Sequence, residues 1–146
     1  MKNLFAFAIV ATCLLFVPSA KASVNIANLD RLSASVCEFV KSNNRSALRK
    51  KLKSSNLNLR KVYDGLVCQP EGDFSGGSLL RAASFYGSTD ISKFLIRKIK
   101  KEHITAKEHD GQSVVEWSES ALAAGGVKDT SKTQAILDEI KSKIAS

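Results

Sequence analysis

The stretch GGSLLRAASFYGSTDISKFLI, residues 76–96, decides the fold. It holds two apolar segments on either side of Gly87, a residue type that commonly ends a helix. Ser78 is a suitable N-cap for the first segment, so a helix is predicted over 79–86. A second helix is predicted over 90–101, with apolar positions at helical spacing: Ile91, Phe94, Leu95 and Ile99. The stretch therefore predicts a helical hairpin.

Related hairpins lie on both sides of this one. Residues 36–52 align with 79–95 at an offset of 43, and residues 111–118 align with 76–83 at an offset of 35. A single hairpin cannot bury its apolar face, whereas stacked hairpins share one core. No segment alternates cleanly between apolar and polar residues, so we expect an all-α domain of about three stacked hairpins.

The connection between the first two hairpins is longer than a turn. Its apolar spacing predicts a further short helix over 57–67. Residues 69–77, QPEGDFSGG, are predicted to form a loop because they are rich in Pro and Gly.

Residues 76–95 and 110–118 resemble the ankyrin repeat. The matching positions are Gly76, Ser78, Leu80, Ala82, Ala83, Gly87, Ile91, Phe94 and Leu95, then Asp110, Gly111, Ser113 and Val115. The departures are Leu79 and Val114 for the family's proline, Arg81 and Glu116 for its histidine, Trp117 and Ser118 for its two alanines, and an insertion over 56–75. The resemblance is loose over 31–144 and close over 76–113. It implies a partner-binding repeat stack; a generic stack of helical hairpins is the alternative.

The first 22 residues have the layout of a secretory signal peptide. Lys2 precedes an apolar run over 4–17, Pro18 breaks the run, and Ala20 and Ala22 occupy the positions that a signal peptidase recognises. We expect cleavage after Ala22, which leaves one domain over 23–146, periplasmic or secreted and not membrane-spanning. An uncleaved anchor is the alternative.

Two cysteines, Cys37 and Cys68, remain after that cleavage. An exported protein with two cysteines is expected to pair them, here in a disulfide that staples the first hairpin. A redox pair is the alternative, but no C-x-x-C spacing supports it. The third cysteine, Cys13, lies inside the apolar run, where Thr12 makes lipidation a minor alternative.

A second resemblance rests on residues 34–68, ASVCEFVKSNNRSALRKKLKSSNLNLRKVYDGLVC. The segment is similar to an uncharacterised group of small exported proteobacterial proteins, which carry a cysteine before a basic helix and another after it. The resemblance implies export and a Cys37–Cys68 pair. It implies no activity.

The sequence does not predict an enzyme, a cofactor or a metal site. The two histidines, His103 and His109, flank a turn without an evident set of further ligands. No nucleophile elbow, zinc-protease motif or phosphate-binding loop is present. An anion-binding nest over 75–78 is a weaker interpretation than a loop followed by a helix cap. General acid–base catalysis by Glu71 and Asp73 is also a weak alternative, because both lie in the predicted loop.

Basic residues concentrate in 45–61 and 97–101. The formal charge is +8, and removal of Lys2 and Lys21 with the signal lowers it to +6. Equivalent helices of a stack lie side by side, so the two clusters are expected to form one face. Its candidate anion-binding residues are Arg45, Arg49, Lys53, Arg97 and Lys101. A merely solvated face is the alternative, and nucleic acid is not an expected partner because few aromatic residues interleave the charges.

Three aromatic residues, Phe74, Phe85 and Tyr86, flank the inserted loop and the turn between helices; we expect them to be exposed, and they are candidate partner-binding residues. A lid over the core is the alternative for Phe74. The first function hypothesis is a non-enzymatic module of the bacterial envelope that binds another envelope protein through the loop 69–77 and the first helices. The alternative is a basic envelope-associated protein that binds anionic lipid or polymer.

Overall fold

The computed structural model of the protein describes residues 26–146. This part of the chain is mostly helical. The helices are α1 Ile26–Lys41, α2 Arg45–Ser54, α3 Leu59–Val62, α4 Leu79–Tyr86, α5 Thr89–Lys98, α6 Lys101–Thr105, α7 Val114–Ala123 and α8 Thr130–Ala145. The expected signal peptide and its cleavage site lie outside the described residues.

Side-chain caps fix where the main helices begin. Ser78 Oγ accepts a hydrogen bond from the Arg81 N–H, and Asn44 Oδ1 accepts one from the Ala47 N–H. Ser113 and Glu116 form a reciprocal capping box at α7. Gly87 ends α4 in the left-handed conformation with φ +68°, as its position in the sequence predicts.

Three pairs of helices that follow one another in the chain pack together: α1 with α2, α4 with α5, and α7 with α8. The first helices pack on one another, α1 on α4 and α4 on α7. The second helices do the same, because α2 contacts α5 and α5 packs on α8. The all-α expectation is confirmed at this level. The core between the two rows includes Leu48, Leu79, Leu80, Ile91, Leu95 and Ile136, each no more than 1% exposed.

Polar contacts also join neighbouring helix pairs. Asn43 Oδ1 accepts hydrogen bonds from the N–H groups of Asp90 (3.1 Å) and Ile91 (3.2 Å), which start α5. Ser88 Oγ donates to the Val40 carbonyl, and Thr133 Oγ1 donates to the Ser84 carbonyl. Successive hairpins are therefore joined by polar contacts as well as by apolar packing.

The expected Cys37–Cys68 disulfide is confirmed, with 5.6 Å between the Cα atoms and a sequence separation of 31. Beside it lies a short antiparallel ladder of two strands, β1 Val67–Cys68 and β2 Gly77–Ser78. The ladder closes the neck of the loop over 69–76. Ser33 Oγ donates to the Val67 carbonyl at 2.8 Å and ties this neck to α1.

Two helix predictions need correction. The helix expected over 57–67 is only α3 and a one-turn 3-10 helix, Tyr63–Gly65, because the chain then turns into β1. The helix expected over 90–101 ends at Lys98. Ile99 adopts an extended conformation with ψ 164° and is buried, and a separate short helix, α6, follows.

None of the helices within residues 26–146 combines the length and the apolar character that crossing a membrane requires.

Candidate functional site

The exposed sides of α2 and α5 form a basic groove made of two adjoining cavities. The smaller cavity measures about 290 Å³ and the larger about 470 Å³. Arg49, Phe94 and Lys98 line both cavities. The smaller cavity adds Arg45 and Arg97; the larger adds Ser46, Lys50, Leu52 and Lys53. Every charged residue of the basic groove is a cation.

The spacing of α2 places its cations in this groove. Leu48 and Leu52 are buried, at 0% and 6% exposure, and fix the inward face of the helix. Arg45, Arg49 and Lys53 follow one another at intervals of four residues, so they lie on one face about 6 Å apart along the axis. The same helix therefore supplies core contacts on one side and a row of cations on the other.

Several groove side chains are held in place by their neighbours. The Arg45 guanidinium lies 6.0 Å from the centre of the Phe94 ring, a cation–π contact. Arg45 Nε is buried and has no hydrogen-bond partner within residues 26–146. Arg97 Nε donates to the Lys93 carbonyl at 3.0 Å, which holds this side chain along α5.

The cations of the basic groove form no ion pair, unlike several of the other cations within residues 26–146. Lys41, Arg81, Lys107, Lys128, Lys132 and Lys141 each form an ion pair with an acidic side chain. Across the described part of the chain, no carboxylate pairs with a cation that lines the groove. The groove thus gathers six cations and no carboxylate along its lining, and it suits a negatively charged ligand.

Four of the five candidate anion-binding residues come together here: Arg45, Arg49, Lys53 and Arg97. The fifth, Lys101, does not line the groove; it lies on α6 and its Nζ donates to the Ile144 carbonyl at 3.2 Å. Lys50 and Lys98, which lie within the two basic stretches but were not among the candidates, also line the groove, and Phe94 was expected only in the core. Phe94 lies three residues before Arg97 on the same helix, and this i, i+3 spacing is the signal that identifies it.

The candidate aromatic surface is mostly interior. Phe74 and Phe85 are each 1% exposed, so the expectation that they are exposed is wrong, and only Tyr86 remains half-buried. Phe74 packs on Phe85 with 5.2 Å between ring centres and meets Trp117 edge-on at 6.2 Å. Paired backbone hydrogen bonds between Glu71 and Phe74, both 3.0 Å, fold the loop back onto the core. Phe74 is thus a lid over the core.

A buried ion cluster centres on Arg81, which is 0% exposed. Its guanidinium donates to both carboxylate oxygens of Asp110 and to the Gln112 carbonyl, and its Nε lies 3.1 Å from Glu108 Oε2. These hydrogen bonds lower the pKa of Asp110 to about 2. The Trp117 ring lies 5.3 Å from the guanidinium carbon. Both terminal nitrogens of the guanidinium are hydrogen-bonded, whereas Nε makes the ion pair with Glu108 but no hydrogen bond.

The two histidines line a separate cavity of about 290 Å³ with Tyr63. Both ring nitrogens of His103 face acceptors, the Asp64 carboxylate at 2.7 Å and the Arg60 carbonyl at 3.2 Å. Burial raises the pKa of Tyr63 well above its usual range. Within residues 26–146 no three His, Cys, Asp or Glu side chains are grouped in a way that could hold a metal ion.

Comparison with known families gives one match. The family model described as Protein of unknown function (DUF3718) matches residues 36–109, which is half of the chain. The chain belongs to this family. The match is not to an ankyrin-repeat family, so that resemblance stays a prediction. Among curated proteins and among solved structures there is no significant match.

The DUF3718 segment contains both disulfide-bonded cysteines, in line with the second resemblance. It also contains every residue that lines the basic groove. Asp110 and Gln112, which complete the Arg81 cluster, lie just beyond it. The groove is therefore a feature of the family segment itself.

Proposed function

We propose that this DUF3718 protein is an exported, non-enzymatic binding module of the bacterial envelope, and that its basic groove holds an anionic envelope component, lipid or polymer. The observation that carries the proposal is a cluster of cations: Arg45, Arg49, Lys53, Arg97 and Lys98 converge between α2 and α5 without an acidic partner. Convergent cations in a concave site attract anions more strongly than the same charges on an open face.

The burial of Phe74 and Phe85 favours this function over a protein-binding surface at the loop 69–77. Interface anchors are usually large aromatic side chains that reach the partner. The apolar surface of both phenylalanines is instead buried in the core. Val67, at 41% exposed, is the one large hydrophobic side chain classed as exposed within the described residues. The groove therefore offers a partner charge more than apolar contact.

Export and the ankyrin-like arrangement belong to the same proposal. Disulfides persist in oxidising compartments outside the cytoplasm, and the Cys37–Cys68 bond supports the expected secretory signal. The two rows of helices, α1–α4–α7 and α2–α5–α8, match the packing order of an ankyrin-like stack. In such a stack, α2 and α5 are equivalent helices of neighbouring repeats, which explains why their cations meet.

The test is retention of the protein by envelope membranes at low and high salt. The protein is expressed from the full chain in a bacterial host, and its membrane-associated fraction is measured. Arg49→Glu with Arg97→Glu should abolish retention at low salt, and high salt should release the unaltered protein. Lys100→Glu with Lys101→Glu carries the same charge change outside the groove and should retain most of the binding. Salt-resistant retention, or equal loss in both double variants, would contradict the proposal.

A further inference from the structure

The basic groove is divided into two halves rather than forming one continuous trough. The smaller cavity is lined by three arginines and one lysine, Arg45, Arg49, Arg97 and Lys98. The larger is lined by one arginine and three lysines, Arg49, Lys50, Lys53 and Lys98. The Phe94 ring lines both. Each half thus gathers four cations, of which Arg49 and Lys98 are shared.

Four cations around one small cavity suit a group with more than one negative charge. A phosphate monoester carries a charge of about −1.5 to −2 at neutral pH and offers three acceptor oxygens. A carboxylate carries a single charge and two oxygens. Guanidinium groups bind phosphate through two parallel hydrogen bonds, and the smaller cavity is the arginine-rich one. Phosphate therefore fits the composition of each half better than a carboxylate does.

The two halves can be occupied at the same time. Arg45 lines only the smaller cavity and Lys53 only the larger. Two helical turns separate them, or about 12 Å along the axis of α2, with Arg49 midway. Arg45 is held on the Phe94 ring and Arg97 on the Lys93 carbonyl, so little side-chain ordering is needed when a ligand binds.

We propose that the basic groove binds a ligand with two phosphate groups, one in each cavity, joined by a spacer that passes over Phe94. The inference rests on the proposed function and narrows its anionic ligand to a class. A soluble polyphosphate and a bisphosphorylated lipid headgroup share this chemistry. Leu52 and Phe94, the apolar lining residues, are at most 9% exposed, so recognition is by the phosphates and not by an acyl chain.

The first experiment compares soluble probes by calorimetry on the protein purified after expression of the full chain. Inorganic phosphate, pyrophosphate, tripolyphosphate and citrate are titrated at the same ionic strength. Tripolyphosphate is expected to bind at least tenfold more tightly than inorganic phosphate, because two sites are filled by one molecule. It is also expected to bind at least tenfold more tightly than citrate. Affinities within threefold of one another would overturn the inference.

Single variants separate the two cavities. Arg45→Gln and Lys53→Gln each impair one cavity, so each should reduce tripolyphosphate affinity about tenfold and change inorganic phosphate affinity less than threefold. Arg49→Gln should weaken both ligands, and Lys101→Gln is the matched control outside the groove. If every variant weakened every ligand alike, the two-site inference would fail, whereas salt-sensitive envelope retention would still support the proposed function.

Vesicles distinguish the source of the phosphates. Vesicles with 10 mol% bisphosphorylated lipid A, whose two phosphates are monoesters, are compared with vesicles whose phosphatidylglycerol content gives the same headgroup charge. Preference for the bisphosphorylated lipid, with displacement by tripolyphosphate, assigns the groove to a lipid headgroup. Tight tripolyphosphate binding without that preference assigns it to a soluble ligand. Equal vesicle binding without tight tripolyphosphate binding overturns the two-phosphate inference.

Discussion

Arg81 Nη1 lies 2.6 Å from Asp110 Oδ2, and Arg81 Nη2 lies 3.0 Å from Asp110 Oδ1. This two-point contact joins residues 29 positions apart and pairs a guanidinium that is 0% exposed. A charge buried this deeply is costly unless it is paired with an opposite charge. The contact therefore fixes α4 against the loop that precedes α7.

Asp110→Asn should destabilise the protein and change its response to acid. At neutral pH we expect a loss of about 3 kcal/mol in the free energy of unfolding, because Arg81 loses its charged partner. Arg81 holds the pKa of Asp110 at about 2, below the ordinary 3.8. This contribution is complete above pH about 4 and is lost as the pH falls through about 2, since only the folded state favours the carboxylate. Between these values the unaltered protein should lose stability more steeply than Asp110→Asn in urea unfolding.

The control for that measurement is Asp73→Asn, which removes a carboxylate 82% exposed and paired with Lys128. Exposed ion pairs contribute little to stability, so the free energy of unfolding of this variant should depend on pH in the same way as that of the unaltered protein. If the free energies of unfolding of Asp110→Asn and of the unaltered protein changed with pH in the same way, the assignment of the lowered Asp110 pKa to Arg81 would be wrong.

Gly77→Ala should be strongly destabilising. A Cβ at Gly77 would lie 2.4 Å from Glu108 Oε2 and 2.6 Å from Arg81 Cδ, and φ is +136°. Overpacking and backbone strain together should cost at least about 2 kcal/mol in thermal or urea unfolding. Gly72→Ala also has a positive φ, +56°, but nothing lies within 4 Å of its Cβ, so it should cost only about 1 kcal/mol. Equal effects of the two variants would show that contact with the Arg81 cluster is not the cause.

Phe74→Ala should act on stability and not directly on ligand binding. The ring is buried against Phe85, Tyr86 and Trp117, so truncation should cost about 3–5 kcal/mol in urea unfolding. Phe74→Leu keeps most of the apolar volume and should cost less than half as much. Where both variants remain folded, tripolyphosphate affinity should match that of the unaltered protein. A fully stable Phe74→Ala protein with lost binding would instead indicate an exposed anchor.

Replacement of Cys37 and Cys68 together by Ala should lower stability by about 3–4 kcal/mol, because the bond closes a loop of 31 residues. Reductant should shift the urea midpoint of the unaltered protein and leave that of the double variant unchanged. Alkylation of the folded, unreduced protein should label neither cysteine. Labelling of both, or a midpoint insensitive to reductant, would contradict a stabilising disulfide.

Local signals predicted the helices well and the long-range contacts poorly. The start and end of α4 follow from Ser78 and Gly87, whose side chain and backbone conformation act on adjacent residues. Burial of Phe74 depends on rings at positions 85, 86 and 117, which no local pattern reveals. The partners of Arg81 are equally distant in sequence.

For the basic groove, too, the local spacing was predicted correctly and a change in chain direction was not. The cations of α2 were predicted because their four-residue spacing is local. Lys101 was misplaced because Ile99 leaves the helix to enter the core, which redirects the chain after Lys98. A continuous helix would have carried Lys101 one turn beyond Arg97 on the same face. The break in the helix at Ile99 thus decides which lysine lines the groove.

The hydrogen bonds that Asn43 Oδ1 accepts at the start of α5 link the opening of that helix to the first hairpin. Ser88, the N-cap of α5, makes no side-chain capping bond, and the amide protons of Asp90 and Ile91 are held by Asn43 from the preceding turn. Their exchange with solvent deuterium therefore reports on the separation of the first hairpin from the second. The helix that carries Phe94 and Arg97 cannot fray at its beginning until its neighbour has moved away.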